Sequence, residues 1–160
     1  MAQEEWEMIV KVCRESSAAK IPKKAHGSDF CYDVYATSGP IEVAPHVLKY
    51  EIGLRFEIVR GTQDGFDDSP CNLSIDFRPR SSIWKTGLAL CNCEGTIDEE
   101  YRGIVSAYFY EVVPGMDKYK EGDRIGQVKL GVTFPMEFIE APSMARDTER
   151  GESGFGSSGR

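Results

Sequence analysis

Three stretches of this chain hold residue types at spacings that could carry chemistry. The first runs Asn92-Cys93-Glu94-Gly95-Thr96-Ile97-Asp98-Glu99-Glu100-Tyr101-Arg102-Gly103. Two glycines bracket an acidic run there; one carboxylate could serve as a general base, and Tyr101 offers a flat face to a ring. The same residues would equally make a hairpin turn carrying solvated acids. The second is Arg78-Pro79-Arg80-Ser81-Ser82, at the end of an alternating apolar segment. Two guanidiniums and two hydroxyls could cradle an anion, or form a solvated turn with a serine N-cap. The third is Arg150-Gly151-Glu152-Ser153-Gly154-Phe155-Gly156-Ser157-Ser158-Gly159. It spells G-x-G-x-x-G, but a dinucleotide fingerprint needs a strand before it and a helix after it, and only Arg160 follows. What remains is closely spaced glycine whose backbone N–H groups can approach an anion, with serine hydroxyls and Arg150 beside them. On composition alone a flexible end accounts for it as well. Asp33, in Tyr32-Asp33-Val34-Tyr35-Ala36, is either an acid near a metal or an edge-strand Asp.

These residues must be positioned by strands, because the strongest periodicity is two. Ile52, Leu54, Phe56 and Ile58 alternate with polar residues or glycine across 51–59, and Leu73, Ile75 and Phe77 alternate across 72–77. Val105, Ala107 and Phe109 alternate with Ile104, Ser106, Tyr108 and Tyr110, the pattern of a strand buried on both faces. Segments 7–12 and 124–130 are shorter strand candidates. Pro and Gly interrupt every longer window, leaving room for at most a short helix after Arg80 or near 141–146. Residues 92–103 then read as a β-hairpin connection between strands at 88–90 and 104–110. Many short strands with frequent turns predict an all-β sandwich, jelly roll or barrel. Residues 61–69 read as an acidic surface loop, and 144–160 as a polar Gly/Ser-rich tail.

The 160 residues suit one domain with its own core, and 19 Lys+Arg against 26 Asp+Glu leave a net charge of −7. That balance argues against non-specific nucleic-acid or anionic-membrane binding, while local arginines and backbone N–H groups can still hold a phosphorylated ligand. Met1 to Trp6 has neither region of a signal peptide and no apolar run reaches membrane-spanning length, so the expected location is cytoplasmic. Five irregularly spaced cysteines predict neither a disulfide framework nor, with only His26 and His46 as imidazoles, a zinc site.

Taken in order, the motifs resemble the homotrimeric dUTPase family, the deoxyuridine triphosphate nucleotidohydrolases. The matching segments are 25–36 with Tyr32-Asp33-Val34-Tyr35, Pro79-Arg80-Ser81-Ser82, Asn92-x-x-Gly95-x-Ile97-Asp98-x-x-Tyr101-x-Gly103, Gly122-Asp123-Arg124-Ile125-Gly126-Gln127, and the glycine-rich tail from Arg150. The resemblance implies a single-domain jelly-roll β fold over 1–142, with 143–160 as a flexible C-terminal arm closing over the active site. It implies hydrolysis of dUTP to dUMP and pyrophosphate, with Asp98 orienting the water that attacks the α-phosphorus. Tyr101 would pack under the deoxyribose, and the backbone around Asn92, Gly95, Thr96 and Ile97 would read uracil. Arg80, Ser81, Ser82 and Gln127 would serve the phosphates, as would Arg150, Ser157 and Ser158, while Phe155, followed by Gly156, would stack on the base. Mg²⁺ would arrive on the triphosphate, with Asp33 touching it through water. The implied assembly is a homotrimer with shared sites. Gly126 stands where the family usually has Ala, and Ser82 where Gly is common. Two alternatives remain: a dCTP deaminase-like enzyme of the same fold, which would carry Glu at the Asp98 position, and a nucleotide-sensing or protein-binding module.

Overall fold

In the computed structural model, residues 8–60 and 70–143 are described. Loop 61–69 and the segment from 144 onward, with Arg150, Phe155, Gly156, Ser157 and Ser158, lie outside the described residues. Ten strands form: β1 (Ile9–Arg14), β2 (Tyr32–Tyr35), β3 (Ile41–Ala44), β4 (Val47–Glu51), β5 (Leu54–Val59), β6 (Asn72–Arg78), β7 (Leu88–Leu90), β8 (Gly95–Asp98), β9 (Ser106–Glu111) and β10 (Arg124–Thr133). One four-stranded sheet has the order β2-β10-β6-β8, another β3-β4-β9-β7, and β1 pairs with β5. The pairings are antiparallel throughout. This is the expected all-β, jelly-roll-like class. The short helix expected after Arg80 is a single 3-10 turn, Ile83–Thr86.

The apolar alternation decides which faces meet. Val34, Phe77, Ile125 and Val128 of the first sheet, Tyr50, Leu88, Leu90 and Phe109 of the second, and Leu54, Phe56 and Ile58 of β5 are all buried. Phe77 meets Phe109 edge-on with ring centroids 6.5 Å apart, and Phe109 meets Tyr50 likewise at 5.6 Å. Burial pushes the Tyr50 hydroxyl up to about 12, so it stays neutral in the core at working pH.

Three expectations need correction. The alternation across 51–59 is continuous, but the backbone turns at Gly53 (φ 66°), so Glu51 closes β4 and Leu54 opens β5 in different sheets. Alternation reports which face is buried and is blind to a turn that preserves the phase. The segment between the strands at 88–90 and 106–111 is also more than a hairpin turn. β7 and β9 do pair, yet the connection leaves their sheet and lays β8 against β6 of the other. In addition, Ile104, Tyr108 and Tyr110 are exposed, so within one chain the β9 segment is buried on one face only.

Candidate active site

β8 is an edge strand. It pairs with β6 through Ser74↔Asp98, Ile75↔Ile97, Asp76↔Thr96 and Phe77↔Gly95, and among the described residues its other edge has no strand beside it. Unpaired edge N–H and C=O groups are hydrogen-bonding capacity available to a ligand. They open on a cleft of about 360 Å³ whose lining includes Phe77, Asn92, Gly95, Thr96, Ile97, Asp98 and Tyr101. The structure therefore brings together Asn92, Gly95, Thr96, Ile97, Asp98 and Tyr101, expected to serve base, sugar and water, while Phe155 and Gly156 lie outside the described residues. Phe77 is an addition: it is 3% exposed and was read from its periodicity only as core.

Past Asp98 the chain makes a turn in which the Tyr101 N–H donates to the Asp98 carbonyl at 3.0 Å. The Asp98 side chain is exposed, and among the described residues no hydrogen bond or ion pair engages its carboxylate. It is thus open to hold a water. The Tyr101 ring lies directly over Gly103: a β-carbon there would stand 2.3 Å from the ring's Cζ. The second glycine of the motif is required by the ring it supports.

A second cleft, about 430 Å³, is lined by Asp33, Arg78, Arg80, Ser81, Arg124 and Gln127 among others. β6 ends at Arg78 and Pro79 prevents its continuation, which delivers Arg80 and Ser81 to the strand end. The Gln127 side-chain amide donates to the Pro79 carbonyl at 3.4 Å. Ser82 precedes the 3-10 turn but makes no side-chain cap; its hydroxyl instead accepts from Arg80 at 3.5 Å. Arg124 and Gln127, three apart, would face opposite sides of a regular strand. A register shift between Arg124 and Gly126 in the pairing with β2 breaks the alternation, buries Ile125 and Gly126 together, and lets both polar side chains line this cleft.

Asp33 is buried on edge strand β2, with Arg124 Nη1 at 3.0 Å and Arg80 Nε at 3.6 Å from its carboxylate. Two guanidiniums therefore converge on Asp33, the buried acid of the cradle. Arg78 turns back to pair with Glu94 at 2.5 Å. Arg78 is one of the two guanidiniums of the expected anion cradle, whereas Arg124 is an addition whose place depends on the bulge. Gly126 is explained by its neighbour: a β-carbon there would lie 2.2 Å from Phe77 Cζ, so the Phe77 ring occupies the space an alanine methyl would need.

The two clefts share no residue, and Phe77 and Arg78, consecutive on β6, line different ones. Phe77 and Arg78 face opposite ways on β6, whereas Asp98, paired with Ser74, is on the same face as Arg78 and toward the other end of the strand.

The comparisons with known proteins agree on one family. The dUTPase family model matches residues 73–159. The chain belongs to the dUTPase family. Curated relatives include the deoxyuridine 5'-triphosphate nucleotidohydrolases of Nautilia profundicola, 34% identical over 96% of this chain and 100% of that protein, and of Wolbachia sp. subsp. Brugia malayi, 31% identical over 94% and 99%. Among solved structures, a Staphylococcus bacteriophage 80alpha dUTPase with dUpNHpp superposes with a TM-score of 0.68 at 22% identity, covering 95% of this chain and 99% of that one. A dUTPase from phage phi11 of S. aureus, described with a structural Mg(II) ion, gives 0.65 at 17% identity over 85% and 98%.

Among the described residues, no group of three or more His, Cys, Asp or Glu could hold a metal ion, and no helix is long and apolar enough to cross a membrane.

Proposed function

We propose that this dUTPase-family protein hydrolyses dUTP to dUMP and pyrophosphate. The observation that carries the reading is the unpaired edge of β8 standing beside the open Asp98 carboxylate and the Tyr101 ring in one cleft. The backbone of Gly95 to Ile97 reads the uracil edge, and Tyr101, braced on Gly103, lies under the deoxyribose and excludes a 2'-hydroxyl. Reading a base by buried hydrogen bonds can discriminate by about 10⁴–10⁵, more than an apolar pocket achieves. Asp98 orients a water and accepts its proton as the oxygen attacks the α-phosphorus. The bond from that phosphorus to the β-bridging oxygen breaks, and pyrophosphate leaves. A positioned base is worth about 10²–10⁴-fold in rate.

The triphosphate falls to Arg80, Ser81 and Gln127, with Arg124 added by the structure, and Ser82 bracing Arg80. Arg150, Ser157 and Ser158 on the terminal phosphates, and Phe155 with Gly156 over the base, complete the reading from the tail. The donor set fits a divalent ion carried by the substrate: the cradle has a single buried carboxylate, suited to a water-mediated contact and unsuited to a protein cage. Bound Mg²⁺ would neutralise phosphate charge and hold the chain of phosphates in one conformation. Asp33 would release its arginines to the phosphates as it turns to the ion's water shell.

The two clefts share no lining residue within one chain, which supports an oligomer in which the cradle of one chain meets Asp98 of another. The exposed Ile104, Tyr108 and Tyr110 supply an apolar face for such contacts. A homotrimer with shared sites is the assembly we propose. Pyrophosphate release measured across dUTP, dTTP, dCTP and UTP, with and without Mg²⁺, tests the reading. Release from dUTP alone, dependent on Mg²⁺, is expected; ammonia from dCTP without pyrophosphate would replace it with deamination.

A further inference from the structure

Asp98 and Tyr101 sit at the two ends of one tight turn, and a turn this exposed needs something to hold it. The segment after Asp98 runs along β5, touching it three times. At the Asp98 end, Arg60, directly after β5, forms a two-pronged pair with the Glu99 carboxylate: Nε to Oε1 at 2.6 Å and Nη2 to Oε2 at 2.7 Å. The same Glu99 carboxylate accepts the Leu73 N–H at 3.2 Å, and Arg60 also donates to the Cys71 carbonyl at 2.8 Å. The β6–β8 ladder stops at Ser74↔Asp98, so Glu99 extends it by one step with a side chain. At the Tyr101 end, Arg55 donates to the Arg102 carbonyl at 2.6 Å and is itself braced by Glu15 at 2.6 Å. Beyond that, Val105 exchanges backbone bonds with Ile52 and Leu54. Arg102 closes the turn on itself by donating to the Glu99 carbonyl at 2.6 Å.

We propose that Arg60 and Arg55, which belong to none of the five motifs, are positioning residues for the reaction. Arg60 fixes the Asp98 end through Glu99, and Arg55 fixes the Tyr101 end through the Arg102 carbonyl. Neither touches the cleft. Each acts by anchoring the residue next to one that does. The Arg60–Glu99 pair has the two-point planar geometry that sets orientation as well as distance, and both partners are about three-quarters buried. The Arg60 pair holds the Glu99 carboxyl below the usual carboxylate range against the opposing effect of burial, so it is ionised and paired at neutral pH. Because the two anchors hold different ends, their loss separates into different kinetic signatures. A merely structural role would not separate them.

This inference rests on the dUTP reading, and the experiment distinguishes the two. Steady-state kinetics with dUTP and UTP are measured for the full-length wild type, Arg60→Met, Glu99→Gln and Arg55→Met, with Lys11→Met as the control. Lys11 pairs with Glu57 on the same two strands but lies 62% exposed and far from the turn in sequence. Arg60→Met and Glu99→Gln are expected to lower kcat for dUTP by about 10–100-fold with KM little changed, the cost of a misplaced reacting group. Added guanidinium ion is expected to restore part of the Arg60→Met loss. Arg55→Met is expected to lower the dUTP-over-UTP preference more than kcat, and Lys11→Met to change neither. Wild-type kcat in both Arg60→Met and Glu99→Gln, or equal losses of kcat and preference in all the clamp variants, would overturn the proposal. An inactive wild type would overturn the dUTP reading instead. Should Arg60→Met fail to fold, Glu99→Gln, which keeps an acceptor for Leu73, decides the question.

Discussion

At the scale of single residues, the cleft depends on atoms that are absent as much as on those present. Gly103 leaves room for the Tyr101 ring, and Gly126 leaves room for Phe77. Gly103→Ala is expected to lift Tyr101 and reduce the preference for dUTP over UTP by about tenfold, read from the ratio of kcat/KM values. Gly126→Ala, the residue more usual in the family, is expected to cost about 1–3 kcal/mol by overpacking against Phe77. Urea denaturation of that variant, alone and with Phe77→Leu, checks this; recovery in the double variant is expected because the smaller side chain vacates the methyl's space. Asp98→Asn is expected to cut hydrolysis by about 10²–10⁴-fold while dUTP still binds, measured by turnover beside equilibrium titration. Full activity in that variant would remove Asp98 from the base role.

At the scale of elements, β10 and β6 are the central strands of the sheet that contributes to both clefts, and a buried ion pair ties them. Lys129 Nζ lies 2.5 Å from the Asp76 carboxylate, with 15% and 9% of the two side chains exposed, and Ser74 donates to the same carboxylate at 2.7 Å. Burial opposes the charge on Asp76, but those hydrogen bonds win and hold its carboxyl below the usual range. Since the folded form binds its proton less readily than the unfolded chain, this contribution is complete above the ordinary carboxylate range. It is lost as pH falls below about 4. Lys129→Met leaves the carboxylate buried without its cation and is expected to cost about 3 kcal/mol at pH 7. The pH dependence should also weaken. Without Lys129, burial, which raises the Asp76 pKa, is opposed only by Ser74 and Arg78, so the variant loses less stability than the wild type on moving from pH 7 to 4. Denaturant midpoints at the two pH values measure it.

At the scale of the molecule, the division of the site is the main consequence of the fold. The edge strand with its carboxylate and the arginine cradle line clefts that share no residue, and the proposed homotrimer would bring them together. Sedimentation of the wild type is expected to give a trimer, and turnover per chain is expected to fall on dilution into the monomer range. Deleting 143–160 is expected to leave a folded oligomer with little turnover, because the strands that bury the core all lie before it. An unfolded product would make that segment part of the scaffold.

Much of this was legible in the residues alone. Period-two alternation identifies the buried faces because a strand presents every second residue to the core, and the order Asp33, Arg80-Ser81, Asp98-x-x-Tyr101, Gln127 carries the family's chemistry on residue type and spacing. Short-range signals of that kind survive without coordinates. The features that only tertiary structure decides are long-range pairings. β8 leaves its hairpin to pair with β6, a bulge turns Arg124 and Gln127 to one side, and Phe77 fills the space above Gly126. Arg60 reaches Glu99 across 39 positions of chain and Arg55 reaches Arg102 across 47. Neither arginine has a local pattern to mark it, because its partner is chosen by strand register. The types and spacing of the reacting groups are therefore written locally, whereas the anchors that aim them, and the division of these groups between two clefts, exist only once the sheets have closed.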